Sequence, residues 1–335
     1  MPDAAGGPRC RHLLAPELEA ALEYFPKVDF SKGVEAFRGD ILGNVRPPLP
    51  DELLAVMCET HHVPGLNGAP DLAVLFYTPP NLPAGPRPTV LYIHGGGYVI
   101  GDAAQMDGPN RALALALACP VASVDYRIAP ETPWPGAVED CYAALAWMHD
   151  NAAALGIDPA RIAVTGESAG GGHATALALY VRDRLRERPG GPSLCFQLLD
   201  CPMLDDRTGS PAEADPHPHV GEFTWTAAMN HFGWSALLGL EAGTTKVPKG
   251  AVPSRAEDLT DLPASFIIVG ALDLFLEEDL EYARRLTRAG VAMELHVIPG
   301  AYHGFGIVPG SPQATQANAL KLAAISRALG VEAAY

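Results

Sequence analysis

The sequence is poor in positive charge. Its 335 residues hold 23 Lys and Arg against 39 Asp and Glu, a formal net charge of −16. Nucleic-acid binding depends on clustered cations that displace counterions from phosphates, so this balance argues against a nucleic-acid partner. Long apolar runs are also missing: the longest, 112–124, is cut by Pro120 and falls short of the ~18 residues that suggest a membrane span. No membrane partner is expected. Residues 1–11 are rich in Pro and Gly and precede no leader-like apolar core, which makes the cytoplasm the expected compartment. Cysteine is sparse. Cys10, Cys58, Cys119, Cys141, Cys195 and Cys201 include no pair at Cys-x-x-Cys spacing, so buried reduced thiols are expected rather than a zinc or redox site. His217 and His219 sit in a Pro-rich stretch with no third ligand near them in sequence; a solvated loop is expected there and no metal. Neither internal repeats nor low-complexity tracts are visible.

What is present is a large apolar fraction, 48%, with only 19% charged residues, enough to bury a sizeable core. At ~150 residues per domain the length suggests two domains, but one α/β sheet with an added lid is equally allowed. Short β-branched runs at 72–78, 89–94, 121–125, 162–165, 195–200, 266–269 and 294–298 read as strands, seven at least. Helical periodicity lies between them at 106–118, 136–155, 170–188, 278–289 and 314–329. This alternation predicts a mostly parallel sheet with helices on both faces.

Two segments break the rhythm. In 1–64, Leu13, Leu14, Leu18, Leu22, Leu53, Leu54 and Met57 suggest helices joined through the Pro-rich 46–50. In 205–256 a polar loop leads to an aromatic-rich helix holding Phe223, Trp225, Met229, Phe232 and Trp234. Both are expected to form a helical lid over the C-terminal strand ends, with 65–204 and 257–335 as the core; open α/β sheets place their sites at that edge. The aromatic run reads equally well as a core-facing helix stripe.

The strongest chemical signal is Gly166-Glu167-Ser168-Ala169-Gly170, between a predicted strand and a predicted helix. Such a turn holds the serine on a strained bend at a helix N-terminus, where free amides favour developing negative charge; small neighbours are needed because the backbone packs tightly. A phosphate-binding P-loop would need Lys followed by Ser or Thr after the last glycine, and Gly172-His173 stands there instead. The dinucleotide spacing Gly-x-Gly-x-x-Gly is absent both here and at 95–101. The second signal, His94-Gly95-Gly96-Gly97-Tyr98, follows a predicted strand. Its glycines permit close approach to an oxyanion, with the amides of Gly96, Gly97 and Ala169 the expected donors and Gly95 an open substitute. A serine nucleophile needs a base, and the base an orienting acid. Downstream strands lead out to Asp273 and to His303; Glu277, Glu278 and Asp279 are rival acids that read as the solvated first turn of the next helix. Tyr98, Val99, Phe223, Trp225, Phe232 and Trp234 are the candidate substrate-binding side chains.

The chain resembles the hormone-sensitive lipase family of α/β-hydrolases, the bacterial family IV esterases. The resemblance rests on 94–97, on Asp125-Tyr-Arg-Ile-Ala-Pro-Glu131, on Pro133-Trp-Pro-Gly-Ala-Val-Glu-Asp140, on the serine turn, and on Asp273 and His303-Gly-Phe305. It covers about residues 72–329. Two departures stand out: Glu167 where the family commonly has Asp, and Leu274 where Pro usually follows the acid. The resemblance implies an α/β-hydrolase fold, the chain order Ser168, Asp273, His303, and hydrolysis of a small-molecule ester of short to medium acyl length with no metal or organic cofactor. It further implies a homodimer through the edge strand preceding His303. Asp125 to Glu131, Asp140 and His94 read as residues that hold structure near the site. An amidase on the same three residues, or a receptor in which they are idle, are the alternatives.

Overall fold

The computed structural model describes residues 8–25, 34, 38 and 48–333. Eight strands form one sheet: β1 (Met57–Val63), β2 (Leu72–Thr78), β3 (Arg87–Ile93), β4 (Val121–Asp125), β5 (Ile157–Glu167), β6 (Phe196–Asp200), β7 (Ala264–Gly270) and β8 (Met293–Ile298). Their order is β1-β2-β4-β3-β5-β6-β7-β8. β2 runs antiparallel to β1 and β4, and all other pairs are parallel. The longer helices are α1 (Asp107–Leu117), α2 (Gly136–Asp150), α3 (Ala169–Glu187), α4 (Ala227–Leu238), α5 (Leu276–Arg288) and α6 (Pro312–Leu329).

The strand sequences explain the layering. Successive side chains of a strand face opposite sides, and both sides of β3 are apolar: Leu91 and Ile93 belong to the apolar cluster that residues of α2, α3 and α5 share, Val90 and Tyr92 to the one that residues of α1 and α6 share. Burial on both faces is what a parallel sheet requires. Local signals set the helix ends. Ser311 Oγ accepts the Ala314 amide at 3.1 Å, Pro312 opens α6, and Gly330 closes it in the left-handed region.

The fold departs from the sequence expectations at three places. Segment 1–64 is not helical to its end: Met57–Val63 is a strand, paired antiparallel with β2 from Met57↔Thr78 to Val63↔Leu72. Its polar residues serve a sheet edge with one face open, a pattern too weak to show against the Leu positions before it. Residues 26–33, 35–37 and 39–47, including part of the Pro-rich joint, lie outside the described residues. The 136–155 helix divides at Asn151, whose side chain donates to the Trp147 carbonyl and ends α2. Phe223 and Trp225 precede α4 rather than riding on it, because the Thr226 hydroxyl accepts the Met229 amide and caps the helix there.

Segment 205–256 lies between β6 and β7, and it packs on the 94–98 loop. A Cβ on Gly233 of α4 would come within 2.4 Å of the Gly97 carbonyl oxygen. The 125–140 region is tied to the core by Asp140, fully buried, which accepts from Arg127 Nε and Nη2 at 2.8 Å each and from the Arg127 amide at 3.0 Å. Removing one partner of a buried pair leaves the other charge unpaired. Arg127→Ala is therefore expected to cost about 3 kcal/mol, read from urea unfolding.

Candidate active site

Three loops at the C-terminal edge of the sheet converge. Ser168 ends β5 and opens α3 with φ +54° and ψ −122°, a conformation that side-chain-bearing residues avoid. The surroundings enforce it. The Ser168 amide donates to the Asp200 carbonyl at 2.9 Å, while its own carbonyl accepts from Gly172 and Met203 at 3.0 Å each. A Cβ at Gly166 would lie 2.3 Å from the Gly170 oxygen, and one at Gly170 only 2.2 Å from the Ile93 oxygen. Backbone stands where either side chain would go, which is the physical content of the two flanking glycines.

His303 follows β8, and its ring bridges the other two residues. Nδ1 lies 2.8 Å from Asp273 Oδ2, and Nε2 lies 2.9 Å from Ser168 Oγ. With the carboxylate able only to accept, Nδ1 carries the proton and Nε2 accepts from the serine hydroxyl. Asp273 is fully buried, and its second oxygen accepts the Phe275 amide at 3.0 Å. Burial by itself would lower the His303 pKa; the charge and hydrogen bond of Asp273, with smaller contributions from Glu167 and Asp200, outweigh it and leave the pKa raised above 6.5. Thr224 donates to the His303 carbonyl, and the Phe275 ring stands edge-on to the imidazole at 5.0 Å.

The 94–98 loop approaches from β3. Gly96 has φ +124° and Gly97 φ +56°. A Cβ on Gly97 would meet the Trp225 ring at 2.2 Å. The amides of Gly96, Gly97 and Ala169 donate to no acceptor among the described residues, so they are free for an incoming oxygen. His94 orients the loop: its Nδ1 is 2.8 Å from the Gly95 carbonyl, its ring stacks on Tyr126 at 4.1 Å, and Tyr126 donates to the His94 carbonyl. Burial lowers the His94 pKa, which favours the neutral imidazole, whose single proton then sits on Nδ1 facing the Gly95 carbonyl.

The candidate substrate-binding residues separate into two groups. Trp225 stands between Gly97 and His303, with its ring 5.9 Å from the imidazole, and Phe223 packs on Tyr302. Phe232 is half-buried beside Val99. Tyr98, Val99 and Trp234 are corrected: at 2%, 0% and 0% exposure they have no surface to offer a ligand. Tyr98 is a strut that donates to the Met203 carbonyl and packs on Trp234. The aromatic run thus divides between the core and the neighbourhood of Gly97 and His303.

The rival acids require a second correction. Glu277 is exposed, but Glu278 and Asp279 are buried rather than solvated. Glu278 accepts the Leu204 amide at 2.6 Å, whereas neither carboxyl oxygen of Asp279 has a partner among the described residues. Burial, and then neighbouring carboxylates, push both pKa values well above the ordinary range. Burial thus favours the neutral form of both, and it is Asp273 that is hydrogen-bonded to His303.

Residues invisible to sequence reasoning also border the site. Lys321 of α6 binds Asp200 at the end of β6, at 2.5 Å; a lone Lys on an Ala- and Leu-rich helix carries no local signal. Cys201, Asp273 and His303 each place one potential ligand atom within 4.8 Å of the others. Burial and the surrounding carboxylates push the Cys201 thiol well above its ordinary pKa, and Asp273 and His303 engage each other, so this donor set suits a metal poorly. All six cysteines are unpaired.

The alpha/beta hydrolase fold family matches residues 90–307. The carboxylesterase NlhH of Mycobacterium tuberculosis is 38% identical over 326 residues, covering 94% of this chain and 96% of that protein. The chain belongs to the α/β-hydrolases, in the hormone-sensitive-lipase-like branch. The esterase LipI of the same organism is 35% identical over 308 residues, covering 90% of this chain and 91% of its own. A solved structure titled bacterial heroin esterase is 38% identical, with TM-score 0.81 over 95% of this chain and 98% of that one. For this α/β-hydrolase, Gly170→Ala is expected to cost more than about 3 kcal/mol, since the added methyl meets backbone that cannot move aside. Urea unfolding of the variant checks it.

Proposed function

We propose that this protein is a serine carboxylesterase that hydrolyses small esters of short to medium acyl length through an acyl-enzyme. The observation that carries the reading is the unbroken chain Ser168 Oγ to His303 Nε2 to Asp273, at 2.9 and 2.8 Å. In this mechanism Ser168 attacks the ester carbonyl while His303 takes its proton, and Asp273 stabilises the imidazolium that forms. The amides of Gly96, Gly97 and Ala169 receive the oxyanion. His303 then gives its proton to the departing alcohol, and a water activated by the same imidazole releases the acid. None of these steps calls on a metal or an organic cofactor. The esterases among the relatives support the substrate class, and the apolar cluster around Trp225, Met229 and Leu274 supplies a wall for a modest acyl chain.

In this reading segment 205–256 serves as a lid with the N-terminal helices, and a homodimer forms through β8, the strand at the sheet edge whose Val297 is 39% exposed. The cytoplasm is the compartment, since six unpaired thiols suit a reducing environment.

Ser168→Ala and His303→Ala are each expected to lower kcat about 10⁴–10⁶-fold on p-nitrophenyl esters, with the circular dichroism spectrum unchanged. Wild-type rates in a folded variant would remove these residues from the mechanism. The raised His303 pKa sets the pH dependence. The imidazole must be neutral to accept the serine proton, so kcat/KM rises with pH and reaches half its plateau above pH 6.5. A plateau extending below pH 6 contradicts that role.

A further inference from the structure

A cavity of about 560 Å³ opens beside the serine turn on the face of the sheet covered by α1 and α6. This is the size range of small-molecule sites. Its walls are apolar, with Leu113 of α1, Leu322 of α6, Tyr92 of β3 and Ile307 among them. Its floor is charged: Glu167, Asp200 and Lys321 all line it. Lys321 is committed to Asp200, with Nζ 2.5 Å from Oδ2. The Glu167 carboxylate accepts no hydrogen bond from any described residue. Two carboxylates against one ammonium leave the floor with one unmatched negative charge when all three are ionised.

The placement of Glu167 relates the cavity to the reaction. Its Cγ and Oε1 would lie 3.2 and 3.5 Å from a Cβ on Gly95, so the side chain rests against the loop that offers the oxyanion amides. It also acts on the charge of His303. The leaving alcohol must sit at His303 Nε2 to receive its proton, and Ile307, at the cavity lip with 64% exposure, follows His303 by one short turn. Gly306 and Ile307 thus bring the cavity wall within a short turn of the imidazole that serves the departing alcohol.

We propose that the cavity receives the alcohol portion of the ester and that Glu167 selects alcohols bearing a tertiary or quaternary ammonium group. This rests on the serine esterase reading above. A methylated ammonium combines a diffuse positive charge with an apolar surface, matching a carboxylate floor under aliphatic walls, and the Tyr92 ring adds an aromatic wall suited to such a cation. An anionic alcohol finds no free partner, because Lys321 is already paired. Burial raises the Glu167 pKa, Asp200 adds to that, and the charges of Lys321 and His303 oppose it; a ligand cation would act in the same sense as Lys321.

The test compares kcat/KM for the acetate ester of 2-(trimethylammonio)ethanol with that for its neutral isostere, 3,3-dimethylbutyl acetate. The wild type is expected to favour the cation about tenfold or more, equivalent to about 1.4 kcal/mol, and Glu167→Gln to bring the ratio near one. Because Glu167 adjoins the strained serine, a second variant is placed away from it. Ala112→Phe, at an exposed position of α1 on the cavity wall, is expected to lower kcat/KM for the cationic ester about tenfold relative to ethyl acetate. A wild-type ratio near one, a ratio that survives Glu167→Gln, or no relative loss in Ala112→Phe overturns the proposal. p-Nitrophenyl acetate is assayed alongside. If it is not hydrolysed, the esterase reading fails and this proposal with it; if it is hydrolysed without discrimination between the isosteres, only this proposal fails.

Discussion

The packing of backbone against backbone at the end of β5 is the constraint on which the rest of the structure depends. Gly166 and Gly170 have carbonyl oxygens where side chains would stand, and Ser168 between them is held at φ +54°. The strain is borne because three backbone hydrogen bonds anchor the serine to β6, to the loop that follows it and to the first turn of α3. The bend lifts the hydroxyl out of the sheet toward His303 and places the Ala169 amide at a helix N-terminus. The glycines of the 94–98 loop complete the same arrangement from β3. A parallel sheet makes this convergence available, since β3, β5, β7 and β8 all end at one edge.

Electrostatics around His303 are built from unequal carboxyl groups. Asp273 is buried yet hydrogen-bonded to the imidazole and to the Phe275 amide, which suits the charged form. Asp279 and Glu278, a few residues on, are buried among like groups and are pushed toward the neutral form. Asp200 keeps a cation, Lys321, and Glu167 has no hydrogen-bond donor among the described residues. A histidine surrounded by four or five ionised acids would be a poor acid in the second half of an acyl transfer. Burial, which favours the neutral form of Glu278 and Asp279, and the pairing of Asp200 with Lys321 both weaken that field, which favours proton return.

What could be read in the sequence was whatever is encoded locally. β2 and β4 have the ends that the sequence predicts because β-branched runs and Pro or Gly boundaries mark them, and Ser168, Asp273 and His303 each follow a strand closely. Their meeting is a property of the topology: they are separated by 135 and 30 positions and are joined by strand order. What escaped was set by packing partners distant in sequence. Glu278 looks like part of a solvated helix turn until the amides of residues 204 and 205 are laid against it. Tyr98 and Trp234 look like pocket walls until each is seen packed against the other. β1 carries little local signal because an edge strand with one open face shows little periodicity against neighbouring Leu positions.

The central claim is that Ser168 forms a covalent acyl intermediate. The most direct measurement is mass spectrometry of the protein quenched in acid during turnover of p-nitrophenyl acetate, followed by peptide mapping. The account predicts a single added acetyl group of about 42 Da on the peptide holding Ser168, absent after Ser168→Ala. An acetyl group confined to another residue, or hydrolysis with no acyl-enzyme under conditions that trap one in a known serine esterase, would contradict it.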